Sequence, residues 1–412
     1  MSELLAPAGN MEKLRAAVLY GADAVYLAGK AFGMRAAADN FTVPELREAI
    51  SFAHDRGVKV YLTVNVMPRG DEYAALRAYF EELKTCPPDA LIVADLGVLN
   101  LAKEVLPHVT LHISTQANAV SAATCRAYHA LGAKRVVLAR ELTMEEIRAI
   151  RRDTPDTLEL EAFIHGSMCI SYSGRCLLSN FFTGRDANRG MCTQPCRWQY
   201  TIREREYELV ETKRPEMPIP VREINGETFL MSSRDTCMIE HIPELMESGI
   251  DSFKIEGRIK SAYYAAVVTN TYRMAIDAYK KGNYAYDPRW MRELESVSHR
   301  PYHTGYYFDH ATENANTTEN TGYIKENAYL ACVLDYNPET GVATMRQKNK
   351  FSVGDRVALL SPGSLGRPFT VTTLNDANGE AIEAVPHPQM LFSMPVPFPV
   401  KPGDILRAED AM

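Results

Sequence analysis

Four cysteines, Cys169, Cys176, Cys192 and Cys196, fall within 28 residues of a 412-residue chain that holds eight cysteines in all. Their spacing, C-x6-C-x15-C-x3-C, lies in a stretch broken by Gly174, Gly184 and Gly190, so irregular chain can fold the thiols together. Thiolates gathered in this way ligate soft metals, and four of them complete a 4Fe-4S cluster or a tetrahedral zinc site. The pair Cys192 and Cys196 suits zinc, the gap between Cys169 and Cys176 is wide for it, and spacing alone leaves the two metals level. Reduced cysteines also serve as small buried apolar residues, which is the reading for the isolated Cys86, Cys125 and Cys332. Cys237, in Ser233-Arg234-Asp235-Thr236-Cys237, reads as a packed residue at the start of a helix, with a place beside the metal as its alternative.

A second set of polar residues stands at the ends of short apolar runs: Asn65, Asp95, Ser114 with Gln116, Arg140 with Glu141, His165, and Lys254-Ile255-Glu256-Gly257-Arg258. Lys254 and Glu256, two residues apart, share one face of a strand and could form an ion pair there. Arg258 could hold a carboxylate or phosphate with its fork of donors, or cap a helix instead. His112 and His165 lie within strand-like runs and read first as core histidines. No H-E-x-x-H motif and no G-x-S-x-G elbow occurs, so standard hydrolase machinery is absent. The cysteine stretch also interleaves Arg175, Arg185, Arg189, Arg197, Arg203 and Arg205 with Phe181, Phe182, Trp198 and Tyr200, a mixture that suits unpaired RNA. Glu204, Glu206, Glu208 and Glu211 dilute that patch, and a solvated hairpin face is the alternative.

These groups need a scaffold that aims strand ends at one place. Up to about residue 285, eight β-rich runs alternate with amphipathic segments: Glu3 to Pro7, Ala24 to Ala28, Lys59 to Asn65, Ala90 to Asp95, Thr110 to Thr115, Arg135 to Arg140, Leu158 to His165 and Ser252 to Glu256. Helices are expected over Val43 to His54, Tyr73 to Lys84, Ala119 to Leu131 and Met144 to Arg152, with Thr42 and Thr143 as N-caps. Eight βα units predict a TIM barrel over residues 1–285, with the polar residues at its carboxyl-end mouth. A doubly wound sheet is the alternative, but Ala6-Pro7-Ala8-Gly9-Asn10 lacks the dinucleotide fingerprint. The interruption at 170–229 carries the cysteines and then a hairpin from Trp198 to Phe229, with Phe229 to Ser233 returning as a strand. Helix Ala262 to Lys281 ends the barrel, 286–321 reads as a connector, and 322–412 as a small all-β barrel-like domain with strands such as Tyr329 to Leu334, Val342 to Gln347, Arg356 to Leu360 and Phe369 to Leu374.

Composition narrows the class. Hydrophobic residues make up 46 % and charged residues 24 %, which excludes disorder and low-complexity chains. The formal charge of -7 means that a polyanion would have to meet a local basic patch. No run approaches the roughly 18 to 20 apolar residues of a membrane span, and the start lacks a signal-peptide pattern, so a cytoplasmic protein without membrane contact is expected.

The run Glu161-Ala162-Phe163-Ile164-His165-Gly166-Ser167-Met168-Cys169, followed by Ser173-Gly174-Arg175-Cys176-Leu177-Leu178-Ser179, closely resembles the signature of the collagenase-like peptidase family of unknown catalytic type. Leu5-Ala6-Pro7-Ala8-Gly9-Asn10, Gly21-Ala22-Asp23-Ala24-Val25-Tyr26, Lys254-Ile255-Glu256-Gly257-Arg258 and His303-Thr304-Gly305-Tyr306-Tyr307 extend the resemblance over nearly the whole chain. What it implies is divided between a collagenase and oxygen-independent hydroxylation of tRNA, of ribosomal RNA cytidine or of a quinone ring. In the hydroxylating branches the resemblance puts a 4Fe-4S cluster on Cys169, Cys176, Cys192 and Cys196. One barrel with a short β-domain is most similar to the tRNA 5-hydroxyuridine branch, which implies tRNA as partner and prephenate as co-substrate. Lys254, Glu256 and Arg258 are then the expected catalytic residues, and Asn65, Gln116, His165, Arg175 and Arg197 the expected substrate-binding ones. A partner protein or a second copy of the chain remains open on this reading.

Overall fold

The computed structural model describes residues 2–34, 39–169, 171–176, 178–197, 207–211, 214–221, 223–224, 227–228, 232–308, 316–317, 324 and 327–409. The chain divides into two compact units. One comprises Met1–Met11, Asp23–Ile259 and His299–Ile324, and the other Glu12–Ala22, Lys260–Ser298 and Lys325–Met412.

The first unit is built on strands whose residues are almost wholly buried. β1 (Glu3–Pro7), β2 (Ala24–Ala28), β3 (Lys59–Val64), β4 (Ala90–Val93), β5 (Thr110–Ile113), β6 (Arg135–Val137) and β7 (Glu159–Ser167) pair in parallel, each with the next. The eighth strand, Ser252–Ile255, pairs in parallel with both β7 and β1 and closes the ring. Runs such as Ala24-Val25-Tyr26-Leu27-Ala28 are apolar along their whole length because both faces are covered. In chain order the helices up to β7 are α1 (Met11–Leu19), α2 (Val43–His54), α3 (Tyr73–Leu83), α4 (Leu96–Val105), α5 (Ala122–Ala130) and α6 (Met144–Arg152). Thr42 with Glu45, and Thr143 with Glu146, form reciprocal capping boxes, which fix the starts of α2 and α6 where the sequence places them. This is the expected TIM-type barrel.

Several ends fall short of expectation for a local reason. β4 stops before Asp95 because that carboxylate caps α4, accepting from the Gly97 and Val98 N–H groups. β5 stops before Ser114, whose hydroxyl accepts from the Gln116 N–H. α5 starts at Ala122, after its cap Ser121, and Ala119 is spent on a bridge to Leu138.

The sheet also carries two strands that sequence did not anticipate. Asp235–Cys237 runs antiparallel to the end of β7, pairing with His165 to Ser167, and Tyr302–His303 runs parallel to it. Cys237 is therefore buried on a strand, two residues before the helical turn that begins at Ile239, and not at the start of the helix as expected. The expected hairpin is present as Tyr207–Glu211 against Arg214–Val221, while Trp198 and Phe229 at its expected limits lie outside the described residues.

The second unit holds an antiparallel sheet of eight strands, in spatial order Arg367–Thr370, Arg356–Leu360, Ile405–Ala408, Tyr329–Asn337, Val342–Gln347, Leu391–Pro395, Leu374–Asp376 and Ala381–Ile382. Its core includes Leu330, Met345, Leu359, Phe392 and Leu406. The helix Ala262–Lys280 belongs to this unit, as does Pro288–Glu295, which lies in the expected connector and starts on the cap Asp287. Inside the unit, Arg407 and Glu293 form a buried pair at 2.6 Å, with the Tyr263 hydroxyl 3.2 Å from the guanidinium.

Candidate active site at the barrel mouth

The interior of the barrel is divided. Leu5, Ala24, Tyr26, Tyr61, Ala90 and Ile92, all from the first four strands, form an apolar cluster. The opposite strands contribute charge: Arg135 on β6 reaches Glu3 at 2.6 Å, Glu159 at 2.7 Å and Glu161 at 3.0 Å. Glu161 is fully buried and also receives Lys254 Nζ at 2.8 Å. Burial alone would push the Glu161 carboxyl up, but Lys254 and Arg135 outweigh it and hold the group down at about 2. His112, buried beside this cluster with its ring edge-on to Tyr61, is pushed well below the usual imidazole range by burial and then by Arg135, and is neutral at pH 7.

Lys254 is where this charge meets the mouth. Its ammonium lies 4.5 Å from the Tyr26 ring centre and 5.4 Å from that of Phe163, a cation-π setting above the ion pair. The expected Lys254–Glu256 pair gives way to Lys254–Glu161, because the regular strand ends at Ile255 and its register to β7 shifts there, so the two-residue alternation does not carry to Glu256. Glu256 instead stands 3.5 Å from the Tyr26 hydroxyl, which donates to the Ile255 carbonyl. Arg258 is buried and donates to Thr63 Oγ1 at 3.1 Å and to the Met34 carbonyl. Asn65 accepts from the Met34 N–H and donates to Ser114 Oγ. Thus one pocket brings together Lys254, Glu256, Arg258, Asn65 and Gln116, with Arg140 on its wall.

Other expected residues lie elsewhere. His165 is buried on β7 with its ring 5.2 Å from that of Tyr302, and it is not among the residues lining the pocket. Arg175 is exposed on the cysteine segment. The Arg197 side chain lies outside the described residues, as do Trp198, Tyr200, Arg203 and Arg205. Sequence reasoning missed Tyr26, Thr63 and Phe163 as pocket walls. Strand parity could have found them, since they share a face with Ala24, Asn65 and Glu161 respectively.

The cysteine segment is fastened to the loops around this mouth. Ser173 donates from its N–H to Glu141 at 2.8 Å, its hydroxyl lies 3.0 Å from the same carboxylate, and its carbonyl accepts from Asn118 Nδ2. Gly174, at φ +76°, presses so close that a Cβ there would lie 2.2 Å from the Gln116 carbonyl oxygen. On another side Arg189 meets both oxygens of Glu72 at 2.7 Å. Cys169, Cys176 and Cys196 are partly buried, and Cys192 is exposed with Ser179 Oγ at 3.7 Å. Among the described residues no three His, Cys, Asp or Glu side chains stand together as a metal cage. The donor set itself, four soft thiols on one docked segment, fits an iron-sulfur group.

A model described as peptidase family U32 matches residues 9–317, and one for its C-terminal domain matches residues 325–407. The chain is 37 % identical over 409 residues to tRNA hydroxylation protein P1 of Bacillus subtilis (strain 168), covering 98 % of this chain and 94 % of the relative. It is 35 % identical over 431 residues to tRNA hydroxylation protein P of Escherichia coli (strain K12), covering 96 % and 94 %. It is also 32 % identical over 373 residues to a collagenase of Porphyromonas gingivalis (strain ATCC BAA-308 / W83), covering 87 % and 86 %. With both models spanning nearly its whole length, the chain belongs to peptidase family U32.

Proposed function

We propose that this protein hydroxylates the wobble uridine of tRNA to 5-hydroxyuridine, with prephenate as co-substrate and a 4Fe-4S cluster on Cys169, Cys176, Cys192 and Cys196. The observation that carries the reading is full-length similarity to two proteins named for tRNA hydroxylation, in a chain whose four-thiol segment is docked beside a barrel-mouth pocket. When bound, the cluster supplies electron transfer or Lewis acidity at the mouth.

The chain's own residues would do the positioning. Lys254, Arg258 and Arg140 supply positive charge to the pocket, which suits a co-substrate with two carboxylates. Glu161 pairs with Lys254 from below and holds the ammonium in place. Glu256, beside the Tyr26 hydroxyl, is the group placed to accept a proton at the pocket's edge. Phe163 and Tyr26 offer faces on which a flat ring can rest. Exposed Tyr172 and Phe182 on the cysteine segment, with Arg175 and Arg185, offer stacking and phosphate contacts for an unpaired anticodon loop.

The collagenase-named relative raises peptide hydrolysis as a second reading, and the described pocket gives it little support. The Ser114 hydroxyl there faces the Asn65 amide and the Gln116 N–H, with no base within reach among the described residues. The deciding experiment is mass spectrometry of tRNA nucleosides from cells lacking the protein, complemented with the wild type or with Cys169→Ala. Restoration of 5-hydroxyuridine derivatives by the wild type alone is expected. An unchanged profile in the deletion strain, in a background with no second family member, would overturn the reading.

A further inference from the structure

Arg300 is 2 % exposed, and its contacts converge on one peptide group. Its Nε donates to Asp235 Oδ1 at 2.8 Å, and its Nη2 lies 2.7 Å from the same oxygen. That Nη2 also donates to the Met168 carbonyl at 3.0 Å, while Nη1 donates to Ser233 Oγ at 3.0 Å. The Ser233 hydroxyl in turn donates to the Met168 carbonyl at 2.6 Å. One carbonyl thus receives two hydrogen bonds, one of them charge-assisted, from a guanidinium whose orientation is fixed by a buried carboxylate.

Met168 precedes Cys169, and regular pairing stops just before it. β7 ends at Ser167, whose partner is Asp235, and Asp235 is itself paired with Tyr302. A buried ion pair adds little net stability over apolar packing of the same shape. What a planar fork with five fixed donors does supply is direction. We propose that Arg300, oriented by Asp235 and assisted by Ser233, is a positioning residue that fixes the peptide at Met168 and thereby the direction of the Cys169 thiol. Its functional meaning rests on Cys169 as a cluster ligand. With one thiol set in place, the remaining three close around a metal at a smaller cost in chain entropy.

The test uses the full chain. In metal-free protein, iodoacetamide labelling of each cysteine is timed by peptide mass spectrometry for the wild type, Arg300→Lys and Ser233→Ala. Loss of a hydrogen bond to a charged group predicts labelling of Cys169 about tenfold faster in Arg300→Lys, with a smaller rise in Ser233→Ala. Cys125, buried in α5 of the same unit, keeps its rate. After anaerobic reconstitution, the variants are expected to lose iron to a chelator about tenfold faster than the wild type and to show an altered electron paramagnetic resonance spectrum. Unchanged Cys169 labelling in both variants overturns the proposal, as does equal acceleration of Cys125, which signals general loosening. If Arg300→Lys does not fold, Ser233→Ala decides alone. Failure of the wild type to take up iron overturns the cluster reading, while the labelling rates still decide the positioning.

Discussion

Replacing Glu161 with glutamine removes the negative charge at the centre of the barrel and leaves Lys254 and Arg135 buried against a neutral amide. The carboxyl is held at about 2 against an ordinary 4.5, burial pushing it up while Lys254 and Arg135 pull it further down. At 1.36 kcal/mol per unit, that displacement corresponds to about 3 kcal/mol. Removing one partner of a buried pair costs about 3–5 kcal/mol by general experience, so two routes agree. The side chain is fully buried, and solvent screening does not reduce the figure. Because the folded value is depressed, the stabilisation is complete above pH 4.5 and is lost as pH falls through about 2. The assay is hydrogen exchange by mass spectrometry on peptides covering 158–167 and 250–257, which reads this unit without the other. At pH 7 these peptides should open about 150-fold more often in Glu161→Gln. The gap to the wild type should narrow only below pH 4.5, after correction for intrinsic rates. Combining Glu161→Gln with Lys254→Met should cost less than the sum of the two by about 1–3 kcal/mol. Exchange within threefold of the wild type at pH 7, or strict additivity, refutes the account of a mutually dependent buried pair.

Further outcomes are expected elsewhere in the chain. Serine at Cys169, Cys176, Cys192 or Cys196 should each lower iron in anaerobically purified protein to less than half, whereas Cys125→Ser and Cys332→Ser should keep it; wild-type protein that carries zinc or no metal sinks the cluster assignment. Gly174→Ala should cost about 1–2 kcal/mol from the left-handed backbone alone, and the added clash with the Gln116 carbonyl should undock the cysteine segment. Its readout is loss of 5-hydroxyuridine with unchanged exchange in the barrel strands. Thr42→Ala and Thr143→Ala should each destabilise their own helix by about 1 kcal/mol, seen as faster exchange in α2 or α6 and nowhere else.

How much of the fold is legible in the sequence depends on the range of the interactions involved. α2 and α6 have their expected bounds because a Thr-x-x-Glu box and apolar spacing are properties of a few neighbouring residues. The expected strands overrun at Asp95 and Ser114 because residues that look like the last of a strand cap the helical turns beyond them. The helix Pro288–Glu295 carries a local signal in Asp287-Pro288, a cap with proline at the first turn, which a reading of the region as connector overlooks. Nothing local could disclose that Asp235–Cys237 would join β7, or that Tyr302–His303 would join it in turn, because each pairing closes a loop of about 65 residues or more. The same holds within the site. Periodicity places Lys254 on an inward face, but its partner Glu161 lies 93 positions away.

β7 shows why the charge cluster and the cysteine segment are separate problems for the protein to solve. Its first half pairs with β6 and the closing strand and carries Glu161 into the barrel interior. Its second half pairs with Asp235–Cys237 and delivers Met168 to Arg300. At about 3.3 Å per residue Glu161 and Met168 are roughly 23 Å apart, well beyond the range over which point changes usually couple directly. Phe163 lies between them, under the Lys254 ammonium and on the pocket wall. The Tyr307 hydroxyl donates to the Phe163 carbonyl at 2.6 Å, so the segment that supplies Arg300 also steadies the strand at its midpoint. Charge sets the pocket floor from below, and the returning segment 300–307 sets the cysteine from above. The two lie far apart along β7, and Phe163, which borders both, is where a change in one would reach the other.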